Sequence, residues 1–343
     1  MMDMLNGAIG CWSALPRHIP GQNGLADLDQ VMGGQIDWAD MRARGQALFA
    51  SIDRDALATT PVGQALAAVG RGEPQAHEAM NLVLGQDSGA LADLTMDERL
   101  ALAEALTHLP EPIRASPAMS QAFFALVNST PVEFGDDLDR QLWRGVGEEL
   151  ARLPRLRRKD SISWQDMSDQ SRLGALQQAS TALWDKLAGP DAGPAPDVVP
   201  FSKGMNPQGQ LPRGAWVASR RCILVNIHRA AGLDRMGHAL EAVLHETVHA
   251  VQDHKARLFE QGKLQPGSRA YEDARLFALN CWRVEKMPPL PQTSDDYLGQ
   301  PVEKQAMAAG QGYAGGIIRA RMGHDPFAPR PNHMASMDFA MRV

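Results

Sequence analysis

Apolar residues recur at helical spacing through most of the chain and at strand density in one short stretch only. In the first half, Thr95-Met96-Asp97-Glu98 is a capping box, followed by Leu100, Ala103, Leu106 and Leu109 before Pro110 ends the run. Residues 119–127, with Phe123 and Phe124 to bury, and residues 137–153, with Leu138, Leu142, Val146 and Leu150 as an i, i+4 stripe, predict two more short helices. A longer one is predicted over 161–187, carrying Leu173, Leu176, Ala179, Leu183 and Leu187 and stopping at Gly189-Pro190. The four prolines and two glycines of residues 189–200 predict a loop. Beyond it Trp216-Val217-Ala218 and residues 222–227 are β-rich runs on either side of Ser219-Arg220-Arg221, the pattern of an antiparallel strand pair. Helices are predicted over 234–259, 268–285 and 301–318, the last interrupted by the glycines at 310–316, and an extended tail follows from Pro326. The expected fold class is therefore mainly α with a small β-sheet, α+β.

Composition and charge then divide the chain. It has 343 residues, more than one compact core usually organises. Residues 1–150 hold 9 Arg, no Lys and 21 Asp or Glu, a net of −12, and the rest hold 25 basic and 19 acidic residues, a net of +6. Five basic residues in eight, Arg152 to Lys159, read as a solvated linker between the two parts. The expected organisation is an acidic helical N-terminal region, 1–160, serving recruitment, secretion or regulation, and a second domain over 161–343. The overall charge of −6 gives no reason to expect a nucleic-acid partner. No apolar run approaches the roughly 18 residues of a membrane span, so no stable membrane insertion is expected. The start of the chain lacks the pattern of a cleavable signal peptide. Cys11, Cys222 and Cys281 are too scattered to form a disulfide framework, and Cys281 has no signature of a nucleophile.

The chemistry is concentrated in Leu244-His245-Glu246-Thr247-Val248-His249-Ala250-Val251-Gln252. On a helix, His245 and His249 lie one turn apart and project the same way, so two imidazoles reach one cation. Glu246, turned about 100° from His245, cannot easily join them but can reach a water on that cation. The spacing HExxH arises by composition in only about one chain in a hundred of this length. Here it stands mid-helix in apolar flanks, directly after the β-rich segment.

A strand, a helix bearing HExxH and further helices resemble the zincin metallopeptidases. The resemblance covers about residues 215–320 and implies a zinc-dependent peptidase with Zn²⁺ on His245 and His249. It also implies Glu246 as the general base that takes a proton from a metal-activated water and passes it to the leaving amine. The metzincin extension is absent, since Gln252 and Lys255 stand where it has Gly and His. A gluzincin-like glutamate on a later helix is the implied third ligand. Glu303, 54 residues after His249, lies in Tyr297…Pro301-Val302-Glu303-Lys304-Gln305-Ala306, similar to the Y…PxExxA segment that follows HExxHxxQ in phage-associated and effector-like metallopeptidases. Glu272, 23 residues after His249 in a segment similar to the ExxxxFA helix of regulatory metallopeptidases, is the alternative. Glu285 has spacing in its favour and no local sequence. The paired match places Glu303 ahead of Glu272.

Such a peptidase usually hydrogen-bonds the developing oxyanion, and Tyr313, ten residues after Glu303, is the tyrosine expected in that catalytic role. His238 reads as a packing residue or a support for the ligands, and His254, His324 and His333 as surface residues. By the resemblance, the strand over 222–227 would align an extended substrate along its edge. The expected activity is hydrolysis of peptide bonds in a protein or peptide substrate, in the manner of stand-alone bacterial effectors or toxins. The expected location is the bacterial cytoplasm, or a target cell reached without a cleavable signal peptide. The expected further partners are a secretion chaperone or a host target. Two other expectations stand beside it: a non-catalytic binding module on the same scaffold, and a zinc amidase acting on peptidoglycan peptides.

Overall fold

Side-chain caps decide where the first helices begin. In the computed structural model, which describes residues 45–71, 91–107, 125–129, 137–156, 164–204, 213–228, 231–286 and 299–322, Asp53 caps α1 (Arg54–Ala58), and Thr60 with Pro61 starts α2 (Pro61–Gly70). The capping box closes as the sequence predicts. Thr95 N–H donates to Glu98 Oε2 (2.9 Å) and Glu98 N–H to Thr95 Oγ1 (3.3 Å) at the start of α3 (Met96–Thr107). α4 spans Asp137–Leu150. The helix expected over 161–187 is divided: a 3-10 turn at Trp164–Asp166 comes first, then Ser168 caps α5 (Asp169–Leu187) by accepting from Ser171 N–H. Most of the helix expected over 119–127, and the tail from Pro326, lie outside the described residues.

Within 189–200, expected as a loop, the chain instead enters a strand. β1 (Asp197–Phe201) pairs in parallel with β3 (Cys222–Asn226), and β2 (Gly214–Val217) pairs with β3 antiparallel, Trp216 opposite Ile223. The order β1–β3–β2 leaves β1 on an edge, where Pro200 can sit without breaking the ladder. It also puts β3 in the middle. The strand expected to offer its edge to a substrate is paired on both sides, and among the described residues β2 is the outer strand on that flank. Alternate residues face two cores: Trp216, Ile223 and Val225 look toward the helices, while Phe201, Ala215, Val217, Cys222 and Leu224 form a small cluster on the other face.

α6 (Met236–Glu260) ties the molecule together, and α7 (Arg269–Lys286) and α8 (Pro301–Met322) pack on it. Leu240, Val243, Leu244 and Val248 of α6 share the main core with α5, α8, the sheet, and Trp143 and Leu150 of α4. Near its other end, Ala256 and Phe259 join a second core built from α1, α2, α3 and α7. In the basic stretch, Leu156 is fully buried and Arg155 N–H donates to Gln178 of α5 (2.9 Å). No helix among the described residues is long and apolar enough to cross a membrane.

The glycines expected to interrupt the last helix do not. α8 runs through them unbroken because they are contact points. A Cβ on Gly316 would meet Arg144 O at 2.3 Å and the Cα of Gly147 at 2.9 Å, so only glycine at both positions lets α4 and α8 touch backbone to backbone. The local loss of helix propensity, about 1 kcal/mol per glycine, is offset by packing that the sequence pattern does not display.

Candidate metal centre

α6 presents its histidines where its apolar face ends. Thr247, between them, is pinned by its hydroxyl to Val243 O (2.7 Å) and to Ser180 Oγ of α5 (2.9 Å), which fixes the rotation of the helix in the core. His245 and His249 then come forward together, rings nearly perpendicular at 84°, with their Nε2 atoms 3.0 Å apart. α8 runs back along this face. Gly310 allows the approach, since a Cβ there would lie 3.1 Å from His245 N. The first turn of α8 brings in Glu303, a carboxylate at the positive end of a helix.

The three groups converge. Glu303 Oε1 is 3.3 Å from His249 Nε2, and Glu303 Oε2 is 3.4 Å from His245 Nε2. All three ligand atoms lie within 4.8 Å of one another, and this is the one such His, Cys, Asp or Glu group among the described residues. Glu303 is 2% exposed and its Oε2 accepts no hydrogen bond, so a buried carboxylate oxygen points at the histidines without a donor aligned to it. A carboxylate oxygen in that setting is suited to a cation. Ligand atoms about 2.0–2.1 Å from a tetrahedral ion are on the order of 3.3 Å apart. The 3.0 Å between the two imidazole nitrogens is near that value, and each nitrogen has its own Glu303 oxygen at a similar distance, 3.3 Å to Oε1 and 3.4 Å to Oε2. Two imidazoles and one carboxylate also suit a first-row transition ion better than Ca²⁺ or Mg²⁺, which take mostly oxygen ligands. His245, His249 and Glu303 can thus hold a metal ion.

Without metal, the same convergence shows in the proton equilibria. Burial is the largest single influence and works against a charged His249, but the Glu303 carboxylate, Glu246 and the Gln252 contact together outweigh it and lift the imidazole to about 9. Burial likewise opposes ionisation of Glu303, and the adjacent His249 and His245 hold it far below the usual carboxylate range.

Glu246 lies on the other side of His245, over the sheet edge. Its Oε2 accepts from Trp216 N–H of β2 (2.8 Å), and its Cγ passes so close to Gly214 that a Cβ there would meet it at 3.2 Å. Glu272 is elsewhere. It pairs with Arg275 one turn on, at 3.0 Å, and Arg275 in turn binds Asp97 of α3. Tyr313 is 2% exposed, its ring edge-on to Trp143 at 6.4 Å and its carbonyl beside Gly147, in the α4–α8 contact. His238 is half-buried with no partner for Nδ1, and burial, then Arg213, lowers its pKa. His254, expected at the surface, is half-buried against Trp184 at 5.4 Å. Tyr297, His324 and His333 lie outside the described residues.

Gln252 had no role in the expected constellation beyond its place in the motif. In the structure its amide sits against His249 Nδ1 at 2.8 Å and reaches α8. Its place three residues after His249, on the same helix face, was the available signal. No protein-family profile matches this chain, and no curated protein or solved structure matches it. Function is therefore read from geometry.

Proposed function

We propose that the protein is a zinc-dependent metallopeptidase. The observation that supports this most directly is the convergence of His245, His249 and Glu303 within 4.8 Å, with the Glu246 carboxylate, next in sequence to His245, fixed against β2 by the Trp216 amide. His249 and Glu303 are buried and the His245 side chain is 19% exposed, so the approach from solvent is on the His245 side. Bound there, zinc supplies Lewis acidity toward water and a carbonyl oxygen.

The chain's own residues do the rest. His245 and His249 as neutral imidazoles and Glu303 as a carboxylate would hold the ion with little rearrangement, because α6 and α8 already set their positions. Glu246 accepts a proton from the attacking water and returns it to the leaving amine. The Trp216 amide fixes one of its oxygens. Among the described residues β2 is the outer strand beside this carboxylate, and apart from the Trp216 N–H that Glu246 takes, its outward edge is a surface to which an extended peptide can add as a further strand. Extended amide substrates fit this arrangement better than compact ones.

The test is bound metal by elemental analysis, followed by cleavage of a denatured protein substrate. About one zinc per chain and cleavage that disappears in Glu246→Gln with zinc retained are the expected results. Absence of stoichiometric metal after zinc is offered to the metal-free protein would overturn the proposal.

A further inference from the structure

Gln252 is 5% exposed and makes three side-chain contacts, each with a defined direction. Its Nε2 lies 3.1 Å from the Val302 carbonyl and 2.6 Å from Gln305 Oε1, both on the first turns of α8. A peptide carbonyl can only accept, so the NH₂ of the Gln252 amide must be the end that faces α8. The carbonyl end, Oε1, is then the atom 2.8 Å from His249 Nδ1. Oε1 in turn can only accept, so Nδ1 must carry the hydrogen. In the neutral ring this leaves the lone pair on Nε2, the nitrogen that faces His245 and Glu303.

We infer that Gln252 is the positioning residue of the metal centre: it transmits the polarity of a backbone carbonyl on α8 into the tautomer of His249 on α6. This rests on the metal-site reading and adds to it a mechanism for readiness. The same amide that turns the His249 lone pair toward the ion also grips Val302, the neighbour of Glu303. One side chain thereby registers two ligands that lie on different helices. With Nδ1–H held by Gln252, the ring has only its Nε2 proton to lose on binding and never has to move a hydrogen from one nitrogen to the other. Gln305 completes the arrangement by accepting the second N–H of the amide, so neither donor is left unmade in a buried place.

The test has two arms that fail separately. In the metal-free protein at alkaline pH, where the ring is neutral, nitrogen-15 chemical shifts of His249 report its tautomer directly. The expected result is hydrogen on Nδ1 in the wild type and a mixed population in Gln252→Leu. Gln252→Glu retains an acceptor against Nδ1 and restores the wild-type tautomer. The second arm is Zn²⁺ affinity by competition with a chelator. Gln252→Leu is expected to bind roughly 10- to 100-fold more weakly, with Gln252→Glu recovering most of that loss. Hydrogen on Nε2 in the wild type overturns the inference, and so does a Gln252→Leu protein that keeps both tautomer and affinity. If the wild type binds no zinc, the metal reading fails while the tautomer measurement still decides the role of Gln252. If Gln252→Leu does not fold, the wild-type tautomer alone decides between the two outcomes.

Discussion

Arg99 in the small helical core and Glu303 at the start of α8 are equally withdrawn from water, at 1% and 2% exposure, yet they are satisfied in opposite ways. The Arg99 guanidinium donates to the carbonyls of Leu126 (2.7 Å), Leu91 (2.5 Å) and Ala92 (3.2 Å) and to Ser129 Oγ (2.9 Å), joining two chain segments to α3. Burial, opposed in part by Glu98, lowers it to about 10 and it remains charged at neutral pH. Glu303 has two imidazoles in front of it and one oxygen with no hydrogen bond. A buried charge whose bonds end on backbone carbonyls and a neighbouring hydroxyl holds the fold. One that converges with other donors and is left short of a partner has been placed for something that comes from outside.

The sharpest tests separate these two uses of charge from each other and from Glu246, which a single backbone amide holds. If the proposed peptidase activity is present, Glu246→Gln is expected to lower its rate by about 10²- to 10⁴-fold with metal stoichiometry and melting temperature unchanged, seen in paired cleavage and elemental assays. Arg99→Ala leaves a set of buried carbonyls without their donor. It is expected to lose about 3–5 kcal/mol in denaturant unfolding, and Arg99→Met, an apolar group of similar volume, markedly less. Glu303→Gln reverses that pattern. Chelator competition should show zinc affinity falling beyond the roughly 100-fold that loss of a supporting partner costs, while the metal-free protein stays folded. A Glu303→Gln protein that unfolds as Arg99→Ala does would erase the distinction.

Smaller effects sharpen the packing side. Gly316→Ala pushes a methyl into the backbone of α4 and is expected to cost about 1–3 kcal/mol. Gly70→Ala, where a Cβ meets nothing within 4 Å, should stabilise by up to about 1 kcal/mol. A further effect is in pH. His249 in the folded metal-free protein titrates at about 9, above the ordinary 6.5, so its pair with Glu303 contributes stability fully present below about 6.5. That contribution fades as pH rises through about 9, and the melting temperature of the metal-free protein should fall over this window more than that of Glu303→Gln.

Much of this was legible because helical periodicity is local. The HExxH spacing alone puts His245 and His249 on one face, and Thr95 with Glu98 announces its own cap. Glu303 was legible only through its surrounding pattern, since nothing local shows that α8 returns to α6. What the sequence hid was tertiary. Val198 and Val199 stand between Pro196 and Pro200, a composition that reads as loop until β3 offers them a partner. The glycines of α8 read as breakers because the backbone they meet, at Gly147 and His245, is remote in sequence. The middle position of β3 depends on that same unseen strand. The direction of the Gln252 amide depends on a carbonyl fifty residues away.

His249 and Glu303 also have a consequence for the unfolded chain. They enclose a loop of 54 residues, and an ion gripped by both closes that loop as a removable cross-link. By the entropy of loop closure, a permanent link of that span is worth about 4 kcal/mol. Metal supply would then act as a reversible staple between α6 and α8, and the lifetime of the protein against unfolding would follow the level of that metal in its surroundings.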